Sequence, residues 1–396
     1  MTTDLMQSEV FGALRDHVRP GMTIAVGDGI GAPHRTAEGT SVGAALSALA
    51  RDIGGIRLVL GWLPSSLDGL SADAFADVVA LMPGWGVRDV LGSPTARFVP
   101  TRLSSIGALL RSALRPDALV TRLVHRRDEF HFSTEVSWQR ELVDDGVGVL
   151  AIVDERAPLV DAGPALPAAA VNVIARTCEG PRELPSATPD PITEALADAV
   201  LRFVPEGARI QYGPGKLGTA LLGRTQQALR IDTGLLTDAV VDLDRRGLLI
   251  DEPSATYLLG TNELYDWADG RPILRGIDYT HDLTRLSRGS PLIAINTALE
   301  IDPVGQINVE GIGEKVIGGI GGHPDYCVAA SQSRSGLSII AVPSKVNGHS
   351  PFVAQLSRPV STPAYDVDLI VTEEGHADLR GTDWATRRRR LSALFE

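Results

Sequence analysis

Residues 213–218, with the sequence GPGKLG, match the spacing of a phosphate-binding glycine loop. They follow a predicted strand at 208–212 and open a predicted helix. In such a G-x-G-x-x-G turn the glycines let the backbone approach a pyrophosphate, and the first N–H groups of the helix stabilise its charge. A dinucleotide fold also needs an acid about 20 residues further on, and Asp232 or Asp238 could serve. Pro214 removes one N–H from the loop, so a nicotinamide-dependent oxidoreductase and a tight turn without a ligand both stay open.

A second glycine cluster consists of Gly318, Gly319, Gly321 and Gly322, which surround one apolar residue. Four glycines in five residues leave backbone N–H groups unshielded, and such a nest can bind an oxyanion or the carbonyl of a thioester. The alternative is a β-bulge or a close contact between a helix and a sheet. The paired glycines favour an oxyanion site in which Gly321 and Gly322 are the donors. A third cluster, GDGIG at residues 27–31, follows the first predicted strand.

Two series of alternating strands and helices would position these loops. The first half predicts strands at 23–27, 56–60, 77–81, 118–124, 148–154 and 171–176, with helices at 41–51 and 135–145, the latter capped by Thr134 and ended by Gly146. The second half predicts helices at 193–203 and 217–229, strands at 208–212, 255–259 and 367–372, apolar runs at 292–295 and 337–342, and a closing helix from Asp383. A proline-rich segment, 180–192, separates the halves. The alternation predicts an α/β protein of two domains, residues 1–185 and 190–396, with open, mostly parallel sheets.

Composition excludes several classes of protein. The 396 residues favour two domains, and the 44% hydrophobic and 22% charged content is that of a globular protein. A net charge of −12 argues against nucleic-acid binding. Two cysteines give neither a disulfide framework nor a metal-ligand spacing. No apolar run approaches the roughly 20 residues that cross a membrane. The first residues lack the pattern of a secretory signal, so we expect a cytoplasmic protein.

From residue 255 to 381 the sequence resembles the acetyl-CoA hydrolase and CoA-transferase family, in particular its 4-hydroxybutyrate CoA-transferase branch. The motifs that carry the resemblance are LGTNELYD at 259–266, INTALEID at 295–302, GQIN at 305–308, the glycine loop running to Asp325 and Tyr326, IIAVPS at 339–344, and VTEEGHADLRG at 371–381. The resemblance extends more weakly upstream, through the loop at 213–218 and through DEFHFS at 128–133.

The resemblance implies two CoA-transferase-type α/β domains and a homodimer. It also implies coenzyme A as part of an acyl-CoA substrate, a small carboxylic acid as a second substrate, and neither a metal nor NAD. Members of the family attack the acyl-CoA with a glutamate, and an acyl anhydride and then a glutamyl-CoA thioester form. On this basis the expected CoA-binding residues are Gly213, Gly215, Lys216, Gly318, Gly319, Lys345 and Arg380.

The sequence departs from the family at the nucleophile. The family segment has the form His-Thr/Ser-Glu-Met-x-x-Asp-Gly, and its glutamate falls here on Gly234. Thr233 and Asp238 keep their places, which argues against a slipped alignment. Glycine cannot form an anhydride, so Gly234 is expected to line the substrate site rather than to react. Asp232 could instead approach the same point, because alternate residues of a strand share a face.

We therefore expect hydrolysis of an acyl-CoA or a β-dicarbonyl-CoA by water, with a carboxylate as the general base. The candidate bases are Asp232, Glu300, Glu310 and Glu373, of which the last three fall where the family also carries acids. The alternatives are a CoA-transferase that uses a displaced carboxylate and a CoA-ester-binding protein without catalysis.

Three histidines complete the sequence-based expectations. His323 directly follows the second glycine cluster and is expected to contact the substrate. His281 and His376 carry neither a partner pattern nor a metal-ligand spacing.

Overall fold

The computed structural model describes residues 5–396, and residues 1–4, which begin the predicted N-terminal domain, lie outside the described residues. The chain divides into two compact units. The first unit combines the described residues through Thr101 with Ser105–Glu183 and Thr256–Asp278. The second unit combines Arg102–Ser104, Leu184–Ala255 and Tyr279–Glu396.

Helices and strands alternate along the described chain. The helices are α1 (Glu9–His17), α2 (Val42–Ile53), α3 (Leu103–Arg111), α4 (Gln139–Asp144), α5 (Pro191–Leu201), α6 (Lys216–Arg224), α7 (Ala239–Arg245), α8 (Asn262–Ala268), α9 (Ile277–Thr280), α10 (Leu283–Leu286), α11 (His323–Gln332) and α12 (Trp384–Phe395). The strands are β1 (Thr23–Val26), β2 (Arg57–Leu60), β3 (Asp77–Ala80), β4 (Ala96–Phe98), β5 (Ala118–Arg126), β6 (Glu129–His131), β7 (Gly148–Asp154), β8 (Val171–Thr177), β9 (Arg209–Tyr212), β10 (Arg230–Ile231), β11 (Leu235–Leu236), β12 (Tyr257–Leu258), β13 (Leu292–Asn296), β14 (Glu300–Ile301), β15 (Ile307–Asn308), β16 (Gly311–Ile312), β17 (Lys315–Val316), β18 (Leu337–Ala341), β19 (Leu369–Val371) and β20 (His376–Asp378). Short 3-10 turns lie at Ala72–Ala74, Trp85–Val87, Val90–Gly92, Ala168–Ala170 and Ala364–Asp366.

The sheet of the first unit has the strand order β4-β3-β2-β1-β5-β7-β8, and all of these neighbours are parallel. The short strand β6 adds to β5 in the antiparallel sense. Strands β1, β2 and β3 are buried along nearly their whole length, as expected for parallel strands covered on both faces. The strand order reverses between β1 and β5, and open α/β sheets commonly bind ligands at the carboxyl ends of strands at such a point.

The sheet of the second unit has the order β10-β9-β13-β18-β19-β20. Strands β10, β9, β13, β18 and β19 are parallel, and β20 closes the edge in the antiparallel sense. Here the strand order reverses between β9 and β13. The α/β class and the open, mostly parallel sheets that the sequence predicts are therefore confirmed.

The predicted strands of both halves are confirmed to within two residues at each end. The predicted helix at 135–145 is confirmed for Gln139–Asp144, but its predicted start is wrong, because the helix begins only at Gln139. The preceding residues serve tertiary contacts instead: the N–H groups of Val136 and Ser137 donate to the carbonyl and hydroxyl of Thr256, and Ser137 has a φ of 50°. Thr134 does not cap a helix, since its hydroxyl donates to the carboxylate of Glu135.

In the described residues, none of the helices has the length and apolar character that a membrane span requires.

Candidate functional site

Several predicted site residues of the second unit lie at the carboxyl edge of its parallel strands. The glycine loop at 213–218 follows β9, Gly234 lies three residues after β10, and Thr297 follows β13. The Nε2 atom of His323 lies 3.0 Å from the carbonyl oxygen of Thr297, which brings the N-terminus of α11 to the same edge. Ligands of open α/β sheets bind at this edge, at the point where the strand order reverses.

The loop after β9 is a tight turn that needs its glycines. Gly215 has a φ of +114°, and a Cβ at Gly218 would lie 2.4 Å from the carbonyl oxygen of Gly213. Lys216 begins α6 and its Nζ lies 2.7 Å from the carboxylate of Asp190, with both side chains about half exposed. This lysine also holds the pKa of Asp190 well below its usual range. The predicted contact of Gly213, Gly215 and Lys216 with coenzyme A stays a prediction.

Some backbone groups of the loop from Gly318 to Gly322 form hydrogen bonds within the fold. The N–H of Gly318 donates to the carbonyl oxygen of Glu310 at 3.1 Å, so this donor is already occupied. Gly321 has a φ of 61°, and its carbonyl oxygen accepts from Leu103. Gly322 immediately precedes α11. The predicted oxyanion contacts of Gly321 and Gly322 and the CoA contacts of Gly318 and Gly319 stay predictions.

The buried side chain of His281 lies against the backbone of both Gly234 and Gly322. A Cβ placed on Gly234 would lie 3.3 Å from both Cε1 and Nε2 of His281 and 3.7 Å from the hydroxyl oxygen of Tyr326. A Cβ placed on Gly322 would lie only 2.3 Å from Nε2 of the same imidazole. His281 therefore packs against Gly234, the position that the resemblance assigns to the nucleophile, and against Gly322, a predicted oxyanion donor. Sequence analysis set His281 aside because it carries no local motif.

The His281 imidazole is buried and neutral. Its exposed fraction is 2%, and burial, assisted by the charge of Arg285, lowers its pKa to about 3. Nδ1 lies 2.9 Å from the hydroxyl oxygen of Thr280, whereas Nε2 has no hydrogen-bond partner among the described residues. The ring of Tyr326 lies beside the imidazole at 4.9 Å between centroids, and its hydroxyl donates to the carbonyl of Thr280 at 3.0 Å. His281 therefore presents an unpartnered ring nitrogen beside Gly234 and Gly322.

Asp232 is committed to ion pairs. Its two carboxylate oxygens lie 2.7 and 2.9 Å from the two terminal nitrogens of Arg285, and Arg209 approaches to 3.4 Å. Strand β10 ends at Ile231, so Asp232 and Gly234 do not lie on one strand, and the expectation that they share a strand face is wrong. Both carboxylate oxygens of Asp232 are therefore occupied by guanidinium groups.

The other three candidate bases are also hydrogen-bonded within the fold. Glu300 accepts from the amide of Asn308 at 2.7 Å and from the backbone and hydroxyl of Ser357. Glu373 accepts from the backbone and hydroxyl of Ser344 at 2.8 and 2.6 Å. Glu310 is buried, which raises its pKa, and it lies 3.4 Å from the hydroxyl of Ser361. Glu300 and Glu373 are thus each held by two or more hydrogen bonds, whereas Glu310 has one long contact.

The remaining predicted contacts are distributed over the same unit. Both ring nitrogens of His323 have partners, since Nδ1 lies 2.7 Å from the hydroxyl of Thr362 and Nε2 bonds Thr297, and burial lowers its pKa to about 4. Lys345 is exposed and comes four residues after β18. Arg380 is exposed and forms a bidentate ion pair with Asp378. The roles predicted for His323, Lys345 and Arg380 in substrate and CoA binding stay predictions.

A polar cluster that the sequence analysis missed lies in the first unit, after β1. The buried carboxylate of Asp28 accepts at Oδ2 from the indole of Trp138, the hydroxyl of Tyr257 and the hydroxyl of Ser137, at 3.0, 2.8 and 3.1 Å. Its Oδ1 has no described partner, and burial raises the pKa of Asp28 to about 7. The buried acid Glu135 accepts from the N–H of Gly31 at 2.7 Å. An acid between glycines at the end of a strand was the signal that could have indicated this cluster.

Within the described part of the chain, no group of three or more His, Cys, Asp or Glu side chains is arranged to hold a metal ion.

The chain belongs to the acetyl-CoA hydrolase/CoA-transferase family, a family of enzymes that act on CoA thioesters. The acetyl-CoA hydrolase/transferase C-terminal domain matches residues 260–394. Succinyl-CoA:cyclohexane-1-carboxylate CoA transferase of Geobacter metallireducens is 30% identical over 318 residues, which cover 74% of this chain and 71% of that protein. The resemblance that the sequence motifs indicate is therefore confirmed.

Two further similarities agree with this assignment. The 4-hydroxybutyrate coenzyme A transferase of Clostridium kluyveri is 25% identical over 332 residues, covering 79% of this chain and 77% of that protein. The crystal structure of RipA from Yersinia pestis superposes with a TM-score of 0.86 at 22% identity, covering 99% of this chain and 95% of that one. At this identity the second similarity concerns the fold alone.

Proposed function

We propose that this protein hydrolyses acyl-CoA thioesters by direct attack of water, without a covalent enzyme intermediate. The observation that carries the proposal is the surroundings of Gly234, where a neutral imidazole stands instead of a carboxylate. The acids that could replace a missing nucleophile, Asp232, Glu300, Glu310 and Glu373, are each engaged by arginines, amides or hydroxyls. Water is the nucleophile that needs no such carboxylate.

In the proposed reaction, Nε2 of His281 accepts the proton of the attacking water. The water oxygen bonds to the thioester carbon while the carbonyl π electrons move onto oxygen, which gives a tetrahedral oxyanion. The oxyanion then collapses, the C–S bond breaks, and the departing sulfur takes the proton from Nε2, so that a carboxylic acid and CoA are formed. The backbone N–H groups of Gly321 and Gly322 are the proposed donors to the oxyanion.

The chemistry of His281 suits this role in two respects. Because burial keeps the ring neutral, its Nε2 lone pair can be present at neutral pH before substrate binds. The negative charge that develops on the thioester oxygen then raises the basicity of the imidazole at the moment the proton moves. Gly234 and Gly322, which cover the ring, are themselves partly exposed, so a small displacement of glycine backbone admits water to Nε2.

The CoA moiety is proposed to lie along the carboxyl edge of the second unit. Gly213, Gly215 and Lys216 supply backbone N–H groups and one cation at the end of β9, where the strand order reverses. Lys345, which follows β18 at the same edge, is a further proposed phosphate contact, whereas Arg380 follows the antiparallel strand β20 and lies at the opposite edge of the sheet. The homodimer, the carboxylic acid partner and the cytoplasmic location that the sequence predicts stay predictions.

The test is a single-turnover reaction with acetyl-, butyryl- and succinyl-CoA in ¹⁸O-labelled water, without any acceptor acid. Direct hydrolysis releases free CoA, places ¹⁸O in the product acid and leaves the mass of the protein unchanged. A glutamyl or aspartyl intermediate would place ¹⁸O in the protein or leave a CoA adduct on it, and either result overturns the proposal. Tight binding of the thioesters without release of CoA would indicate a binding protein instead.

The relatives favour CoA transfer as the second candidate, because the two reported above are named CoA transferases. Exchange of CoA onto added cyclohexane-1-carboxylate, succinate or acetate, with no CoA released in their absence, would establish transfer. Thermal shifts separate both candidates from an oxidoreductase, because CoA and not NAD should raise the melting temperature.

A further inference from the structure

His281 fills the space that a carboxylate at position 234 would need. We propose that this imidazole excludes a glutamate side chain from position 234, so that Gly234 and His281 act as a pair that decides between hydrolysis by water and reaction through a covalent glutamyl intermediate. The inference rests on the proposed function, since it explains why that function proceeds without a protein nucleophile.

A side chain at position 234 would be crowded by His281. The atoms nearest to a Cβ on Gly234 are Cε1 and Nε2 of His281, both at 3.3 Å, followed by the hydroxyl oxygen of Tyr326 at 3.7 Å. A separation of 3.3 Å between nonbonded carbons is already shorter than the optimum of roughly 3.5–4.0 Å. A glutamate adds four further atoms beyond Cβ, at a position where the Cβ alone is already in tight contact with the ring.

The imidazole cannot easily turn away, because it is held on its other sides. A Cβ on Gly322 would lie 2.3 Å from Nε2 and 2.6 Å from Cδ2, so the ring lies directly against that backbone. Nδ1 is hydrogen-bonded to Thr280, and the Tyr326 ring packs beside the imidazole. Gly322 and Gly234 therefore both leave space that the His281 ring occupies.

A carboxylate at position 234 would also interact electrostatically with the His281 imidazole. A carboxylate forced against the buried imidazole would draw a proton onto the ring and form an ion pair, because an adjacent anion favours the charged form of histidine. A carboxylate paired in this way is a poor nucleophile towards a thioester. Restoring glutamate alone would thus not restore the covalent reaction.

The atoms that block position 234 suggest the compensating change. His281→Asn removes Cε1 and Nε2 and retains a polar group able to bond the hydroxyl of Thr280. In the double variant Gly234→Glu/His281→Asn, the introduced carboxylate can attack the thioester carbon, form a C–O bond and release CoA as a thiolate. The thiolate can then attack the glutamyl carbonyl, form a C–S bond and release the acyl group as a carboxylate.

The experiment compares the full-length chain with Gly234→Glu, His281→Asn and the double variant, each incubated with butyryl-CoA and analysed by intact-protein mass spectrometry. The expected result is an adduct of CoA minus water, together with acetate-dependent exchange, in the double variant only. An equal adduct in Gly234→Glu alone would overturn the inference. So would a double variant that is folded and is stabilised by CoA but forms no adduct.

Melting temperatures provide an independent measurement that does not need activity. We expect Gly234→Glu to lower the melting temperature by about 5 °C in the native background and by much less in the His281→Asn background, because the overpacked atoms have been removed. Gly223→Glu is the matched control, since a Cβ there meets no atom within 4 Å and its effect should be the same in both backgrounds. Additive effects at positions 234 and 281, or failure of both glutamate variants to fold, would overturn the inference.

These outcomes separate the inference from the proposed function. A wild-type protein that carries a covalent CoA adduct refutes direct hydrolysis, whatever the coupling between positions 234 and 281. Hydrolysis by the wild type together with additive substitutions leaves the proposed function intact and removes only the inference.

Discussion

The imidazole of His281 and the backbone of Gly234 lie so close that a Cβ at position 234 would stand 3.3 Å from Nε2. The residues are 47 positions apart in the chain, and neither carries a motif that points to the other. Their contact joins the position to which the sequence motifs assign the family's nucleophile to a buried nitrogen without a described partner. This relationship leads to predictions that can be tested one residue at a time.

Substitution of His281 should abolish most of the hydrolysis. His281→Gln keeps a polar side chain of similar length but removes the basic nitrogen, and we expect the rate of CoA release to fall by about 100-fold, the lower range for loss of a general base. The exposed His376, whose ring contacts that of Phe203 edge to face, provides the control, and His376→Gln should hydrolyse at the wild-type rate. Equal rates for the two variants would show that His281 is not the base.

The pH dependence of hydrolysis should lack a histidine limb near pH 6.5. Burial lowers the pKa of His281 to about 3, so the basic form is present at every pH above about 3, and protonation removes it only below that value. Protonation of His281 should therefore cause no change in kcat/KM between about pH 5 and 7. A tenfold fall for each pH unit below 6.5 would contradict the neutral, buried state of the ring.

Gly322 should tolerate no side chain. Gly322→Ala places a Cβ 2.3 Å from Nε2 of His281, so the ring or the loop must move. We expect a loss of about 1–3 kcal/mol in the free energy of unfolding, measured by denaturant titration, and a parallel loss of hydrolysis. Gly223→Ala on α6 is the control and should not destabilise the protein, because a Cβ at that position meets no atom within 4 Å and alanine favours the helix. Wild-type stability of Gly322→Ala would show that the packing of His281 against Gly322 is unimportant.

Lys216 should contribute to CoA binding rather than to stability. Its ion pair with Asp190 is about half exposed, and such pairs contribute at most about 1 kcal/mol. Lys216→Ala should raise the KM for acyl-CoA several-fold with kcat and the melting temperature unchanged. Arg224→Ala, which removes a similarly exposed ion pair with Asp198 at the other end of α6, should leave KM unchanged. Equal KM values for both variants would remove Lys216 from the CoA site.

Asp28 should destabilise the protein as the pH rises. Burial raises its pKa to about 7, so between about pH 4 and 7 the folded state holds a proton that the unfolded state has lost. The free energy of unfolding therefore falls as the pH rises through this window, by at most about 4 kcal/mol for about three pKa units. Asp28→Asn mimics the protonated acid and should be more stable than the wild type at pH 8 but not at pH 4.

Asp77 provides a control, because its contribution to the free energy of unfolding should change with pH in the opposite direction to that of Asp28. Arg97 and Arg57 hold the pKa of Asp77 below its usual range, so Asp77→Asn should lower stability at neutral pH and lose this effect in acid. Chemical denaturation of both variants at pH 4, 6 and 8 distinguishes the two directions. A constant difference between Asp28→Asn and the wild type across this range would contradict the raised pKa.

The sequence determined the α/β class, the positions of the main strands and the glycine loops at their ends. These features depend on neighbouring residues: a short apolar run such as that of β13 forms a buried strand, and Gly215 adopts a positive φ that other residues avoid. The motifs between residues 255 and 381 also carried the family, because long stretches of residues occur in the family's order.

Only the tertiary structure decided which side chains meet at the ends of those strands. The predicted start of the helix at 135–145 failed because Glu135 and Ser137 bond to Gly31 and Thr256, which are distant in the chain. Asp28 and Tyr257 are 229 residues apart, and their hydrogen bond has no local signature. His281 likewise reaches Gly234 and Gly322 only when the strands are paired and α11 is packed. Local periodicity depends on residues a few positions apart, whereas the desolvation that neutralises His281 arises from the whole unit that buries it.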